Sequence, residues 1–321
     1  MIKKNRPKLG IYRKSRDVQV VETLWRYRVL RESTLHSFCF PTVIHRRKVQ
    51  ARLKKLRDEG YIGRPPSTIV HRDANDNYDP PYWVERLGVE EVLDGHPIDD
   101  EQKERLRVVK NLTNWKPHRL RHVLDVSDIR ACLEQAVEQT PGVHLVAWYD
   151  EHDQHDRNPV LQAKVKIPYG ETGRERSFTL CADACFVLEN ESGDKQDLFF
   201  VEIDEGTESG KKRWRDKVLA YIAYLKQGFE RDFEFNGRDF RVLTVTRSRR
   251  GKEQGKRKEG LLKATFNVSG RGEFLFATFD QVMPEGMVTG DFFLTRGIWQ
   301  RAREEDIKQK KEFVLYNELF V

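Results

Sequence analysis

Hydrophobic positions in the first hundred residues recur mostly at helical spacing. Val20, Val21, Leu24, Tyr27 and Val29 or Leu30 mark one side of a helix over residues 18–30. After a break at Arg31-Glu32-Ser33, residues 34–40 form a short second helix that ends at Pro41, which has no amide proton for a further turn. A third helix starts at Thr42 or Val43. Its apolar face is Val49, Leu53 and Leu56, and Gly60 closes it. Residues 62–84 then place Pro, Asn and Asp between the β-like runs Thr68-Ile-Val and Tyr82-Trp-Val, which predicts a hairpin. A short helix over residues 88–95 completes a winged helix-turn-helix pattern over residues 15–98. Residues 99–116 are highly charged and read as a linker helix.

Beyond residue 116 the pattern changes to alternating helices and strands. A helix over residues 117–139, buried through Val123, Val126, Ile129, Leu133, Ala136 and Val137, precedes a strand at 144–149. Strands follow near 160–167, 177–188 and 198–204, then a helix over 209–227 with Trp214, Val218, Tyr221, Ile222 and Leu225 inward. A buried strand at 241–246, a short helix near 260–265 and a strand at 274–278 end the series. This order predicts an α/β sandwich with a mixed sheet over residues 117–299, followed by a charged C-terminal tail, 300–321.

The length, 321 residues, suits two cores, and 34% charged against 38% hydrophobic residues makes the chain globular. No apolar run is long enough for a membrane span and the basic start lacks a secretory apolar stretch, so the cytoplasm is the expected address. Cys39, Cys132, Cys181 and Cys185 lack paired CxxC spacing, so reduced thiols are expected rather than a disulfide framework or a zinc site. Charge alters the picture more. Residues 1–64 hold 18 Lys or Arg against 5 Asp or Glu, so the whole net charge of +7 originates there and the remainder is net acidic. An excess so concentrated is the footprint of a polyanion partner, and double-stranded DNA is the expected one. On the third helix Arg46, Arg47, Lys48, Arg52 and Lys55 are the candidates for groove and phosphate contacts.

Acidic residues punctuate the second domain at strand ends. Asp183 interrupts the apolar run Leu180-Cys-Ala-Asp-Ala-Cys-Phe-Val, and Glu202 and Asp204 share a face because strand side chains two apart point the same way. Buried carboxylates are costly unless paired or bound to a cation, so Asp183, Glu202 and Asp204 are candidate ligands for Mg2+ or Mn2+. The alternative is that they are solvated strand ends, with Asp204 or Glu205 placed before a helix N-terminus. The histidine- and aspartate-rich stretch at 150–157 reads as a polar loop, and the basic run 247–258 as either a phosphate-contacting loop or solvated surface. Phosphate-binding Gly loops and nucleophile elbows are absent from the sequence.

The order helix-strand-strand-strand-helix-strand with Asp183 followed by Glu202 resembles the PD-(D/E)xK nuclease superfamily. More specifically, Phe199-Phe-Val-Glu-Ile-Asp-Glu-Gly-Thr-Glu-Ser with Trp214, Lys217 and Tyr221 downstream is similar to the replication-relaxation family of bacterial plasmids and mobile elements. Tyr27-Arg-Val-Leu, Gly60-Tyr-Ile, Tyr82-Trp-Val with Gly88, Asp128-Ile-Arg and Arg241-Val-Leu-Thr-Val-Thr share in that similarity, which covers roughly residues 16–280. The resemblance implies a winged helix joined to a nuclease-like domain, acting in plasmid replication and DNA relaxation.

Two departures qualify the nuclease motif. Ala182 replaces the proline before the first acid, and Asp204 replaces the lysine two residues after the second. Lys217 on the following helix is a candidate substitute for that ammonium, and Glu134 a candidate further ligand, although Lys217 also fits an ordinary surface cation and Glu134 a partner of Arg130. The expected functions are therefore a metal-dependent DNA-nicking or DNA-cleaving enzyme, or a non-catalytic DNA-binding replication or partition factor with a degenerate nuclease fold. A ligand-sensing transcriptional regulator trails both. Replication or conjugation proteins and a second copy of the chain are the compatible protein partners, and no membrane partner is expected.

Overall fold

The computed structural model describes residues 16–65, 79–93, 98–100, 102–103, 106–107, 117–150, 161–169, 174–206, 211–227, 229, 239–247, 255–269, 272–284 and 288–320. The chain divides into two compact units, residues 1–131 with 285–288 and residues 132–284 with 289–321. The dividing point falls within a long helix rather than before it, where the change of sequence pattern had suggested a boundary.

The first unit is built on α1 (Arg16–Tyr27), α2 (Glu32–Cys39) and α3 (Arg46–Asp58). Helix α1 carries Asp17 in its first turn and Arg26 in its last, charges that suit its two ends, and it buries Val18, Val20, Val21 and Leu24. The expected first helix is shorter than its periodicity suggested. Arg28 takes a left-handed φ of 67°, and Val29–Arg31 leaves the helix as strand β1. Strands β2 (Ile62–Gly63) and β3 (Pro81–Val84) complete a three-stranded antiparallel sheet in the order β1-β3-β2. The run at 68–70, expected as the other arm of the hairpin, lies outside the described residues. Helix α4 (Arg86–Val92) packs closely through Gly88, where a Cβ would stand 2.5 Å from the Tyr61 carbonyl oxygen and 2.7 Å from Val84.

A buried polar network ties this unit together. Arg31 donates to Asp128 at 2.5 Å and to Asp125 at 2.7 Å, and Thr34 donates to Asp128 at 3.2 Å. Both aspartates lie in the first half of α5 (Pro117–Gln139). Burial raises the Asp128 carboxyl to about 6 against the pull of the Arg31 guanidinium. Val29, Trp83, Leu120, Val123 and Leu124 form an apolar cluster in the same unit.

The second unit is a seven-stranded mixed sheet. Its strands are β4 (Val143–Asp150), β7 (Ala184–Asn190), β8 (Gln196–Asp204), β9 (Phe240–Thr246), β10 (Phe274–Thr278), β11 (Gly297–Arg301) and β12 (Phe313–Val314), side by side in that order. Strands β8, β9 and β10 are parallel, while β7 runs antiparallel to both its neighbours. The parallel pairs need crossovers, supplied by α6 (Lys211–Gln227) and α7 (Lys256–Phe266). Both helices pack on one face of the sheet, where Trp214, Val218, Tyr221, Leu261 and Leu262 meet Leu198, Phe200, Phe240, Val242 and Phe276. Strands β5 (Gln162–Tyr169) and β6 (Arg174–Cys181) form a separate hairpin whose Val165, Ile167 and Leu180 join that core. On the opposite face Phe186 stacks on Phe199 and meets Phe293 edge-on.

Two expectations are corrected here. The single strand expected at 177–188 is two strands in different sheets, because the chain turns at Ala182-Asp183. The segment 300–321 is not a tail. It adds α8's successor α9 (Glu304–Gln309) and edge strand β12, and it buries Ala302, Leu315 and Leu319; α8 itself is the short helix Phe279–Val282.

Candidate functional site

The turn that separates β6 from β7 delivers Asp183 to the side of β8. Its amide donates to the Val201 carbonyl at 3.2 Å, and its Oδ2 accepts from the Ile203 amide at 2.7 Å. Between those two backbone groups lies Glu202, which shares its face of β8 with Leu198 and Phe200 and so points toward α6. Helix α6 meets it with two side chains one turn apart. Tyr221 donates to Glu202 Oε1 at 2.5 Å, and the Lys217 ammonium forms an ion pair with Oε2. One turn earlier on α6, Trp214 Nε1 donates to Thr265 Oγ1 at 2.9 Å, which anchors α6 to α7.

Glu202 is only 2% exposed, and burial raises its carboxyl to about 7, with Lys217 opposing the shift and the nearby Asp183 carboxylate adding to it. Burial and Glu202 together hold the Tyr221 hydroxyl well above its ordinary value, so Tyr221 acts as a donor. The site is therefore a buried glutamate whose carboxyl is raised by burial, flanked by a second carboxylate, an ammonium and a phenol. Asp183 and Glu202 supply the hard oxygen donors that Mg2+ or Mn2+ prefers, and their repulsion is what a cation would relieve. Among the described residues, no three His, Cys, Asp or Glu side chains converge as a preformed metal cage.

The expected site residues fall into three groups. Asp183, Glu202 and Lys217 are brought together. Asp204, also on β8, instead gives both carboxylate oxygens to Arg257 of α7, at 2.7 and 2.8 Å. Glu134 is buried on α5, and none of the contacts that define the cluster involves it. Tyr221 and Arg257 were not singled out as site residues. Periodicity put Tyr221 inward without saying what its hydroxyl meets, and nothing local links Arg257 to an aspartate 53 positions away. The free thiols Cys39, Cys132 and Cys185 are buried and Cys181 is exposed.

In the first unit the five expected cations separate as clearly. Arg46 donates to the buried Glu32 at 2.7 Å, and Arg52 makes a two-pronged pair with Asp17, one arm at 2.5 Å. Glu32 also accepts from Gln50 at 2.8 Å, so these arginines hold α3 against α1 and α2. Arg47, Lys48 and Lys54 are exposed, and their side chains have no hydrogen bond or ion pair among the described residues. Lys55 is exposed beside Glu59, 3.8 Å away.

These features define a two-unit, mixed α/β protein with a cationic helix in one unit and a buried carboxylate–lysine–tyrosine cluster in the other. Residues 22–235, two thirds of the chain, match the model of the replication-relaxation family, and the chain belongs to that family. No curated protein and no solved structure matches it. Among the described residues, no helix is long and apolar enough to cross a membrane.

Proposed function

We propose that the protein is a duplex-DNA-binding replication factor of mobile elements, in which the first unit acts as a winged helix and presents α3 to DNA. The observation that carries this reading is the sorting of cations on α3. Arg46 and Arg52 are spent on internal carboxylates, while Arg47, Lys48 and Lys54 stand exposed on the outer side, unpaired among the described residues. A solvated helix surface ordinarily mixes both signs, whereas from Arg47 to Lys55 every charged residue of α3 is cationic, Asp58 and Glu59 coming only at its C-terminal end, and such a run suits a phosphate backbone. Strand β1, lying between α1 and α2 and pairing with β3, is the arrangement expected of a winged helix. Family membership supports the replication-related role. The test is duplex binding by wild type and by Arg47→Ala/Lys54→Ala, which should bind more weakly on every sequence tried; equal binding would reject α3 as the contact.

A second reading is favoured by the meeting of Asp183 and Glu202 beside Lys217. On this reading the second unit is PD-(D/E)xK-like and nicks or cleaves DNA. In support, the succession α5, β4, β7, β8, α6, β9 is compatible with the motif's helix-strand-strand-strand-helix-strand order if the β5–β6 hairpin is taken as an insertion. Asp183 and Glu202 would hold Mg2+ or Mn2+, whereas Asp204 would remain with Arg257. Such an ion supplies Lewis-acid polarisation of the phosphodiester and activation of water. Lys217 supplies from α6 the ammonium that the motif ordinarily carries on the strand, and Tyr221 orients Glu202. Nicking of supercoiled plasmid with Mg2+ or Mn2+ decides between the readings. Activity lost in both Asp183→Ala and Glu202→Ala supports the enzyme, and no activity in wild type leaves the protein a binding factor.

A further inference from the structure

The outer face of α3 carries more than charge. Ile44, in the turn before α3, is 90% exposed, the most exposed large hydrophobic side chain among the described residues. Within α3, helical spacing puts Arg47, Lys48, Ala51, Lys54 and Lys55 along the side opposite Val49, Leu53 and Leu56, with Asp58 following in the last turn, and Ile44 precedes the helix by two residues. Ala51 leaves the middle of this stripe small, cations flank it, and the exposed Ile44 stands at its N-terminal end. The stripe is held in place by the Arg46–Glu32 and Arg52–Asp17 pairs, which fix α3 without consuming any group of the stripe.

An isolated exposed isoleucine ordinarily needs no explanation. Here its setting selects the ligand. A membrane surface would require a broad band of bulky apolar residues, and this stripe has one. The DNA major groove offers the matching surface, with phosphates along both margins and, on its floor, the thymine 5-methyl as the apolar group of the base edges. We infer that Ile44 is a specificity-determining residue that contacts a thymine methyl when α3 lies in the major groove, with Ala51 leaving room for the close approach and Arg47, Lys48 and Lys54 meeting phosphates. This inference rests on the reading of α3 as the DNA-contacting helix and adds which base feature it reads.

Replacing thymine by uracil removes that methyl group and leaves base pairing intact, so the contact can be tested from the DNA side. Duplexes retained by the wild-type protein from a random-sequence pool are resynthesised with deoxyuridine at one thymidine position at a time. Binding is then measured for wild type and Ile44→Ala. Burial of one methyl-sized group corresponds to about a fourfold change in affinity. The expected result is at least one position where the substitution weakens wild type about fourfold but leaves Ile44→Ala unchanged within roughly the error of a twofold difference. Because Ile44 is exposed, the variant should keep the wild-type circular dichroism spectrum. The inference is overturned if no position responds in wild type, or if both proteins respond alike while still binding duplex. If wild type retains no duplex from the pool, the DNA-binding reading fails with it, an outcome distinguishable from the other two.

Discussion

Removing the Lys217 ammonium while keeping its stem, Lys217→Met, should destabilise the second unit in a pH-dependent way. The ion pair joins a glutamate side chain 3% exposed to a lysine side chain 24% exposed, so most of its surroundings are protein rather than water. Deleting one partner of such a pair costs about 3–5 kcal/mol, because the remaining charge is buried alone. Glu202 has a partial escape. Its carboxyl already lies near 7, and without Lys217 it rises further, so at pH 6 it takes up a proton and the loss shrinks. At pH 8 the proton is scarcer and more of the loss remains. With an m-value of about 2–3 kcal/mol per molar urea, the urea midpoint should fall on the order of 1.5 M at pH 8 and by less at pH 6. Glu202→Gln/Lys217→Met should be more stable at pH 8 than Lys217→Met alone, since it leaves no orphaned charge. Urea titrations followed by far-ultraviolet circular dichroism provide the readout. A loss below about 1 kcal/mol at pH 8, or strict additivity in the cycle, would refute the buried pair.

Three further outcomes follow from the first unit. Arg31→Met strands Asp125 and Asp128 in the interior and should cost about 3–5 kcal/mol, seen as a lowered urea midpoint; a surface-like loss of a few tenths would contradict the network. Asp128 has a folded value near 6 against an ordinary 3.8, so the folded state holds its proton more tightly; the resulting stabilisation is present below about pH 4 and is lost as pH rises through 6. Comparison of wild type with Asp128→Asn at several pH values should show this component only in wild type. Gly88→Ala forces a Cβ against the Tyr61 carbonyl and Val84 and should lower stability by about 1–3 kcal/mol, whereas a neutral effect would mean that α4 is free to shift.

The sequence made the helical skeleton of the first unit and the strand-helix alternation of the second readable, because periodicity survives wherever one face is buried. It failed where structure is set by distance or brevity. Strand β1 has three residues and continues the apolar spacing of α1, so nothing local separates them. The turn at Ala182-Asp183 hides inside an apolar run, since a residue paired with the backbone of β8 can occupy a strand-like stretch. At 300–321 the charges of α9 concealed a two-residue strand and three buried apolar side chains. In the site, parity placed Glu202 and Asp204 on one face correctly but could not foresee their different fates. One meets Lys217 and Tyr221 from α6, and the other is claimed by Arg257 from α7. On α3 all five cations looked alike in sequence, and only their acidic partners, 14 and 35 positions away for Arg46 and Arg52, distinguish structural from available charge.

The central claim is that the unpaired cations of α3 meet DNA phosphates, and the salt dependence of duplex binding tests it most directly. Each phosphate contact contributes about 0.9 to the slope of log affinity against log salt. Arg47→Ala/Lys54→Ala, which would remove two contacts while leaving the Arg46 and Arg52 anchors in place, should therefore flatten the slope by about 1.8 relative to wild type. An unchanged slope, with duplex binding retained, would contradict the account.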